Sequence, residues 1–383
     1  MRFVPRRTAD IRGILARPKS FLQRSLQAMS MTLACLAATA AANDVLYTGG
    51  ATLNGTGDFS PANIFSAPGL NEFVTVNVNT IDLVGPAVDT VRVVGFQGNI
   101  NFNLSAGRSI SGAGVNGAYL TTTTGNITSV VDGNLPGLTN GIVMDARFAP
   151  LGGNVDLSGT GDINGVGGWG VWLLSDTGSV TMNGINSITA AAGHGIYVDS
   201  TGTVNLGTTT PLGTINAGLS GIEVIQVFDP VNNGPISVHT GDITAGGFGV
   251  HTLGWEQNTW VRMPGTLTST GTTGIYSTST LGNIIVDGLG TGVVIGADEG
   301  ITLGSTAGNQ TVQNFASVTG ADTALWMLSG TGNQLVSNNG TLTGTLGDGI
   351  LAGTLGGNIS IQGSGTVGGI SGGGRDGINA NAL

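Results

Sequence analysis

A two-residue step, glycine followed by an aliphatic residue, returns along this chain at a nearly fixed spacing. It stands at Gly141, Gly170, Gly195, Gly221, Gly249, Gly274, Gly300, Gly349 and Gly377, with Ala324 once in the glycine's place. Successive steps lie 29, 25, 26, 28, 25, 26, 24, 25 and 28 residues apart, and Gly117 extends the series by 24 more. The second residue is aliphatic every time, from Ile142, Val171 and Ile196 to Leu325, Ile350 and Ile378. The third residue after the glycine is mostly apolar too, as in Met144, Leu173, Val198, Val224, Leu303, Met327 and Ala352. Such period-two alternation marks a strand with one buried face. A self-similar period of this length constrains the fold more than any local motif, because it sets one residue class at one place in unit after unit.

Each unit holds two further strands. The second follows a glycine and a polar residue: Val155 and Leu157, Val180 and Met182, Val204 and Leu206, then Ile236/Val238, Ile284/Val286 and Ile359/Ile361. The third is an aliphatic residue followed by a polar one, at Ile163, Ile188, Ile215, Ile243, Leu267, Val318 and Leu342. Gly, Asn, Asp and Thr fill the turns between them. Three short strands in about 25 residues make one coil of a parallel β-helix, and no coil can bury its apolar side alone. The expected fold is all-β: a right-handed parallel β-helix, the hand that crossover connections favour, with about 25 residues and three strands per coil. Twelve coils from about Val91 onward would stack into a rod of roughly 55 Å. Residues 43–90 lack the register. Their "FVTVNVNTIDLV" reads as strands, so they are expected to form an N-terminal cap and the first irregular coils, with the repeats filling 91–383.

Charge divides the chain. Seven of the 12 basic residues, Arg2 to Arg24, lie in the first 24 positions, and only one of the 22 acidic residues, Asp10, precedes Asn43. Residues 43–383 therefore carry 5 − 21 = −16 and no lysine. Binding to phosphate backbones or anionic membranes needs clustered Lys and Arg, so nucleic acid is excluded as a partner class. Glycine makes up 69 of 383 residues, yet mean hydropathy is +0.26. That combination opposes disorder, which goes with low hydrophobicity.

The basic segment leads into a short apolar stretch from about Met29 to Thr39 and the small-residue site Ala40-Ala41-Ala42. This is the pattern of a secretory signal over residues 1–42, cleaved before Asn43. The apolar run is too short to span a bilayer as an anchor. Cys35, the single cysteine, falls inside the signal, so the exported chain would have no disulfide.

The succession GI-x-V, G-x-V-x-V, G-x-I-T-x-G, in "GIYVDSTGTVNL", "GGNVDLSGTGDINGVGGWGVWL" and "GILAGTLGGNISIQGSGTVGGI", resembles the passenger regions of bacterial autotransporters over roughly residues 90–383. The long signal and the lack of cysteine are similar to that family as well. The resemblance implies a chain exported to the cell surface or exterior of a Gram-negative bacterium and acting in adhesion or surface display. It also implies a translocator β-barrel, and this sequence carries no C-terminal barrel of alternating strands; it stops at "GINANAL". That departure points to a truncated gene or a fragment, and a non-functional remnant is one alternative reading.

A polysaccharide-active β-helix enzyme, lyase or hydrolase, is the other. Such chemistry needs clustered carboxylates or a basic group beside the sugar. His194, His239 and His251 stand in no recognisable catalytic motif, and His251 reads as a solvated residue at an outward strand position. Asp145 and Asp199 share a column two coils apart, where a turn Asp is the simpler reading. "GGGRDGI" near Asp376 is a lone imperfect match to a calcium repeat. No catalytic residue, metal ligand or cofactor is assigned, and the expectation is a non-enzymatic protein.

One surface feature rises above this background. The second residue after the glycine should point outward, opposite to its neighbours. That position holds Tyr119, Val143, Trp172, Tyr197, Glu223, His251, Tyr276, Thr302, Trp326 and Leu351. Three of the four tyrosines and two of the five tryptophans fall in it. Tyr119, Trp172, Tyr197, Tyr276 and Trp326 are therefore the candidate binding surface for a host-surface glycan or protein. The competing reading is a ladder that only stabilises the strands.

Overall fold

The computed structural model describes strand segments between residues 44 and 95, then residues 98–112, 115–147, 152–226, 233–363, 370–372 and 376–382. The expected signal over residues 1–42 lies outside the described residues. Those residues hold strands, turns and no helix, and every pairing between strands is parallel. The chain winds as a right-handed parallel β-helix.

The glycine–aliphatic steps build the first sheet. It has fourteen strands in chain order, from Asp44–Tyr47, Ala62–Ser66 and Asp89–Gly95 through Val171–Ser175 and Ile196–Ser200 to Ile378–Ala382. Twelve of them, from Asp89–Gly95 onward, enclose about eleven turns. Register follows the sequence spacing residue by residue: Ile142↔Val171, Val171↔Ile196, Ile196↔Ile222, Ile222↔Val250 and Val250↔Ile275. The amide of each aliphatic residue donates to the carbonyl of the next coil's glycine, as in Ile196 N to Gly221 O at 2.9 Å and Ile222 N to Gly249 O at 3.0 Å.

The second sheet stacks Val155, Val180, Val204 and Ile236 in line. The third stacks Ile163, Ile188, Ile215, Ile243 and Leu267. Two long strands, Ile284–Gly296 and Gln310–Gly320, run across the corner and join these two sheets. Ile284–Gly296 pairs with Thr259–Arg262 on one side of the corner and Thr266–Ser269 on the other, so Val294 supplies the rung above Leu267. The bend is made at Leu289 and Gly290, with φ of 53° and 87°. A leucine in the left-handed region is unusual, and it donates its amide to Asp287 Oδ1 at 2.8 Å.

Inside the coils lies one continuous apolar cluster. Ile196, Val198, Val204, Leu206 and Ile215 are wholly buried, as are their counterparts in adjacent coils. Some polar residues enter this interior too; the hydroxyls of Ser129 and Thr259 stand there without a hydrogen-bond partner, while others are paired. Thr252 and Ser277 replace the apolar third residue, and their hydroxyls hydrogen-bond each other across the coils at 2.7 Å. Gln310 and Gln334 take the place of Ile284 in the second sheet. Their amides donate to the carbonyls of Leu328 at 2.7 Å and Gly353 at 2.8 Å, near the ends of first-sheet strands.

Two side-chain ladders close the turns. From Gly170 onward, the residue five past the glycine step carries a hydroxyl in six coils: Ser175, Ser200, Ser279, Ser305, Ser329 and Thr354. Ser200 Oγ donates to Gly178 O and accepts from Gly202 N, each at 3.1 Å, and Ser329 Oγ accepts from Gly332 N at 2.9 Å. In the same turn an asparagine ladder climbs from coil to coil. Asn309 N donates to Asn283 Oδ1, Asn333 N to Asn309 Oδ1 and Asn358 N to Asn333 Oδ1, each at 2.9 Å. These bonds satisfy turn amides that the strands cannot reach.

Candidate functional site

The outward column forms one in-register ladder along the first sheet. Tyr119 pairs with Val143, Val143 with Trp172, Trp172 with Tyr197, and the line continues through Glu223, His251, Tyr276, Thr302, Trp326 and Leu351. The five candidate residues thus share one face, but they are not equally free. Val143 is buried, at 2 % exposure, while Trp326 is 37 % exposed. Tyr119, Trp172, Tyr197 and Tyr276 are half-buried. The Arg92 guanidinium lies over the Tyr119 ring, 5.5 Å from its centroid.

A second column explains the burial. The residue just before the glycine also faces outward beside the ladder, and in three coils it is large: Trp169, His194 and Phe248. Trp169 packs on Trp172 with ring centroids 3.9 Å apart and on Tyr197 at 5.9 Å. Trp172 and Tyr197 meet edge to face at 6.3 Å, and His194 adds a fourth ring 5.8 Å from Tyr197. Further along, Phe248, His251 and Tyr276 form a second cluster with centroids 4.7 to 5.5 Å apart. Contacts of this kind contribute beyond simple burial. His251 is therefore more enclosed than its strand position alone implies: its side chain is 15 % exposed, held between Phe248, Tyr276 and Glu223.

Glu223 sits between the two clusters. His194 Nδ1 lies 2.9 Å from Glu223 Oε2, and His251 Nδ1 lies 3.5 Å from Oε1. Ser220 Oγ donates to Oε2 at 3.0 Å. The close approach of His194, then of His251, holds the Glu223 carboxyl well below the usual carboxylate range. The third histidine, His239, is on the second sheet beside Arg262 and takes no part. Burial and the neighbouring guanidinium keep its pKa below the ordinary imidazole value.

Asp145 and Asp199 do share a column, separated by the buried Leu174. Arg147 joins them. It grips Asp145 through Nε and Nη2 at 3.1 and 3.0 Å and places Nη1 3.9 Å from Asp199 Oδ2. Burial pushes the Asp199 carboxyl up, and Arg147 counters it. Both carboxylates are thus engaged by one cation, an arrangement that fixes a turn. Among the described residues, no group of three or more His, Cys, Asp or Glu side chains is arranged to hold a metal ion.

What this face offers is contact chemistry: flat apolar rings with polar edges, in line along the axis, beside one buried carboxylate. No protein-family model, curated protein or solved structure matches the chain.

Proposed function

We propose that this protein is an exported β-helix of the autotransporter-passenger type, displayed at or released from the surface of a Gram-negative bacterium. It adheres to a host-surface glycan or protein through the outward face of its first sheet. One observation carries the reading: an unbroken ladder on that face concentrates aromatic side chains in a single register position. Coils stack at about 4.8 Å, so the aromatic rungs, one or more coils apart, lie along a line that suits an extended polymer rather than around a closed pocket. Interface energy concentrates on such residues.

The two halves of the ladder differ in what they support. Trp169, Trp172, His194 and Tyr197 pack on one another, which suits scaffold and contact alike. The half around Tyr276 and Trp326 is the better place for a test, because Trp326 is exposed. A Tyr276→Thr, Trp326→Thr double variant is expected to lose attachment to host cells or immobilised glycans by at least about tenfold. Its melting temperature should fall only slightly, through the contacts of Tyr276 with Phe248 and His251. Unchanged attachment with a lower melting temperature would make the ladder scaffold and overturn the reading.

A further inference from the structure

The outward position two residues past the ladder carries a large aliphatic side chain in several coils: Leu174, Ile225, Leu253 and Leu328. In two coils it is glycine, at Gly304 and Gly353, in register with Leu328 between them. Most glycines at strand starts are demanded by crowding. A Cβ added at Gly195, for example, would stand 2.4 Å from Ile215 Cγ2. Gly304 and Gly353 are different. The nearest atoms to an added Cβ there are side-chain ones, Thr278 Cγ2 at 3.2 Å and Leu328 Cδ1 at 3.3 Å, and neither residue has a positive φ. Backbone and packing do not require glycine at these two positions. What glycine provides is an open floor.

The result is a groove along the axis in two segments of about 570 and 480 Å³, which share Gly304 and Ser305. It lies beside the Tyr276–Trp326 half of the aromatic ladder, two residues along the same strands. No charged side chain lines either segment. The lining alternates hydroxyls, such as Thr278, Thr280 and Thr306, with aliphatic surface from Leu253, Leu328 and Leu355. At one end stands Trp255, whose indole N–H donates to Gln226 O at 2.9 Å and so sets the plane of the ring.

We infer that this groove is a subsite for a neutral linear oligosaccharide. The inference rests on the adhesive reading of this face and names its ligand class. A saccharide chain has what the lining matches: no charge, hydroxyls that both donate and accept, and ring faces that pack on Trp255 and the leucines. Thr280 and Thr306 stand one coil apart, roughly 4.8 Å, close to the advance of one sugar along an extended chain. A charged polymer would lose hydration with no counter-charge in return. A peptide could not add to the floor strands as a new strand, because their backbones are already paired to coils on both sides.

The test is calorimetric titration of the full chain with neutral linear hexasaccharides, β-glucan and mannan among them. A hexagalacturonate and an apolar hexapeptide serve as the charged and peptide probes. At least one neutral hexasaccharide is expected to bind. Gly304→Leu, which puts into the floor the side chain already present at Leu253 and Leu328, should weaken that binding at least about tenfold with no loss of melting temperature. Trp255→Ala should weaken it by roughly tenfold. If Gly304→Leu melts lower, Gly353→Leu, which fills the second segment, replaces it with the same expected loss. Binding only by the charged or the peptide probe, or by none, overturns the inference. So does hexasaccharide binding that survives the filled groove. If attachment is still lost in the Tyr276→Thr, Trp326→Thr variant in any of those cases, the groove falls and the adhesive reading stands.

Discussion

The glycine of each repeat is a steric requirement rather than a conformational one. Gly195 has no positive φ, yet an added Cβ would press on Ile215 Cγ2 at 2.4 Å and on Gly221 O at 2.5 Å. Gly170 and Gly221 meet the matching isoleucine methyl and the matching glycine carbonyl one coil away. The side chain that forbids a methyl is therefore the third-sheet aliphatic of the same coil, closing the corner over the strand start. Gly195→Ala should destabilise the fold by about 1–2 kcal/mol, within the usual cost of overpacking. The lower half of that range is expected because the natural chain accepts a methyl once, at the buried Ala324. Denaturant unfolding of the variant beside the parent checks this, and equal midpoints would contradict the packing described. At this scale the sequence showed the corner, through a glycine that recurs every 24 to 29 residues before an apolar side chain. It did not show the occupant, because the third-sheet aliphatic that closes over the glycine lies some twenty residues further along.

At the scale of the strand and its neighbours, Glu223 links two aromatic clusters through His194 and His251, and this gives the ladder a pH response. Its carboxyl is held below the range it has in the unfolded chain, so the native state binds a proton there less readily than the unfolded state does. Its contribution to stability is complete above the unfolded carboxyl pKa of about 4.3. The contribution is lost as pH falls from there toward the lower native value. The parent's melting temperature should therefore drop more steeply below about pH 4.5 than that of Glu223→Gln, with the two curves running parallel near neutrality. Parallel curves throughout would mean that the carboxylate is not held as described. The rungs of the ladder were legible in the sequence because residues within a strand alternate with period two. The partners that half-bury them were not. Trp169, His194 and Phe248 precede the glycine, in a turn, and a period-two rule says nothing about where a turn residue points. A large residue at that offset in three coils was the available signal. The asparagine ladder had one too, in the repeated Gly-Asn before each second strand. Of the strands that cross a corner, Ile284–Gly296 had none, since its bend depends on Leu289 adopting a conformation leucine rarely takes, whereas Gln310–Gly320 turns at Asn314, a residue type that takes it more readily.

For the molecule as a whole, the sequence separates a basic leader from an acidic, lysine-free body, and the export proposal rests on that division. Cleavage after Ala42 is expected, so mass spectrometry of secreted or periplasmic protein should find Asn43 at the N-terminus. An intact Met1 end in that fraction would overturn the signal assignment. The body itself is held together by contacts one coil apart, through strand pairing, the hydroxyl and amide ladders of the turns, and the stacked aliphatic rows. Each coil needs only the coil before it as a template. Such a stack can be wound on from one end, one turn at a time, while the rest of the chain is still extended. A polypeptide threading a narrow pore and winding on the far side gains a row of backbone bonds with each turn. It must break that row to slip back. Were this chain exported through such a pore, as proposed, the parallel register would act as a ratchet that converts folding free energy into directed movement.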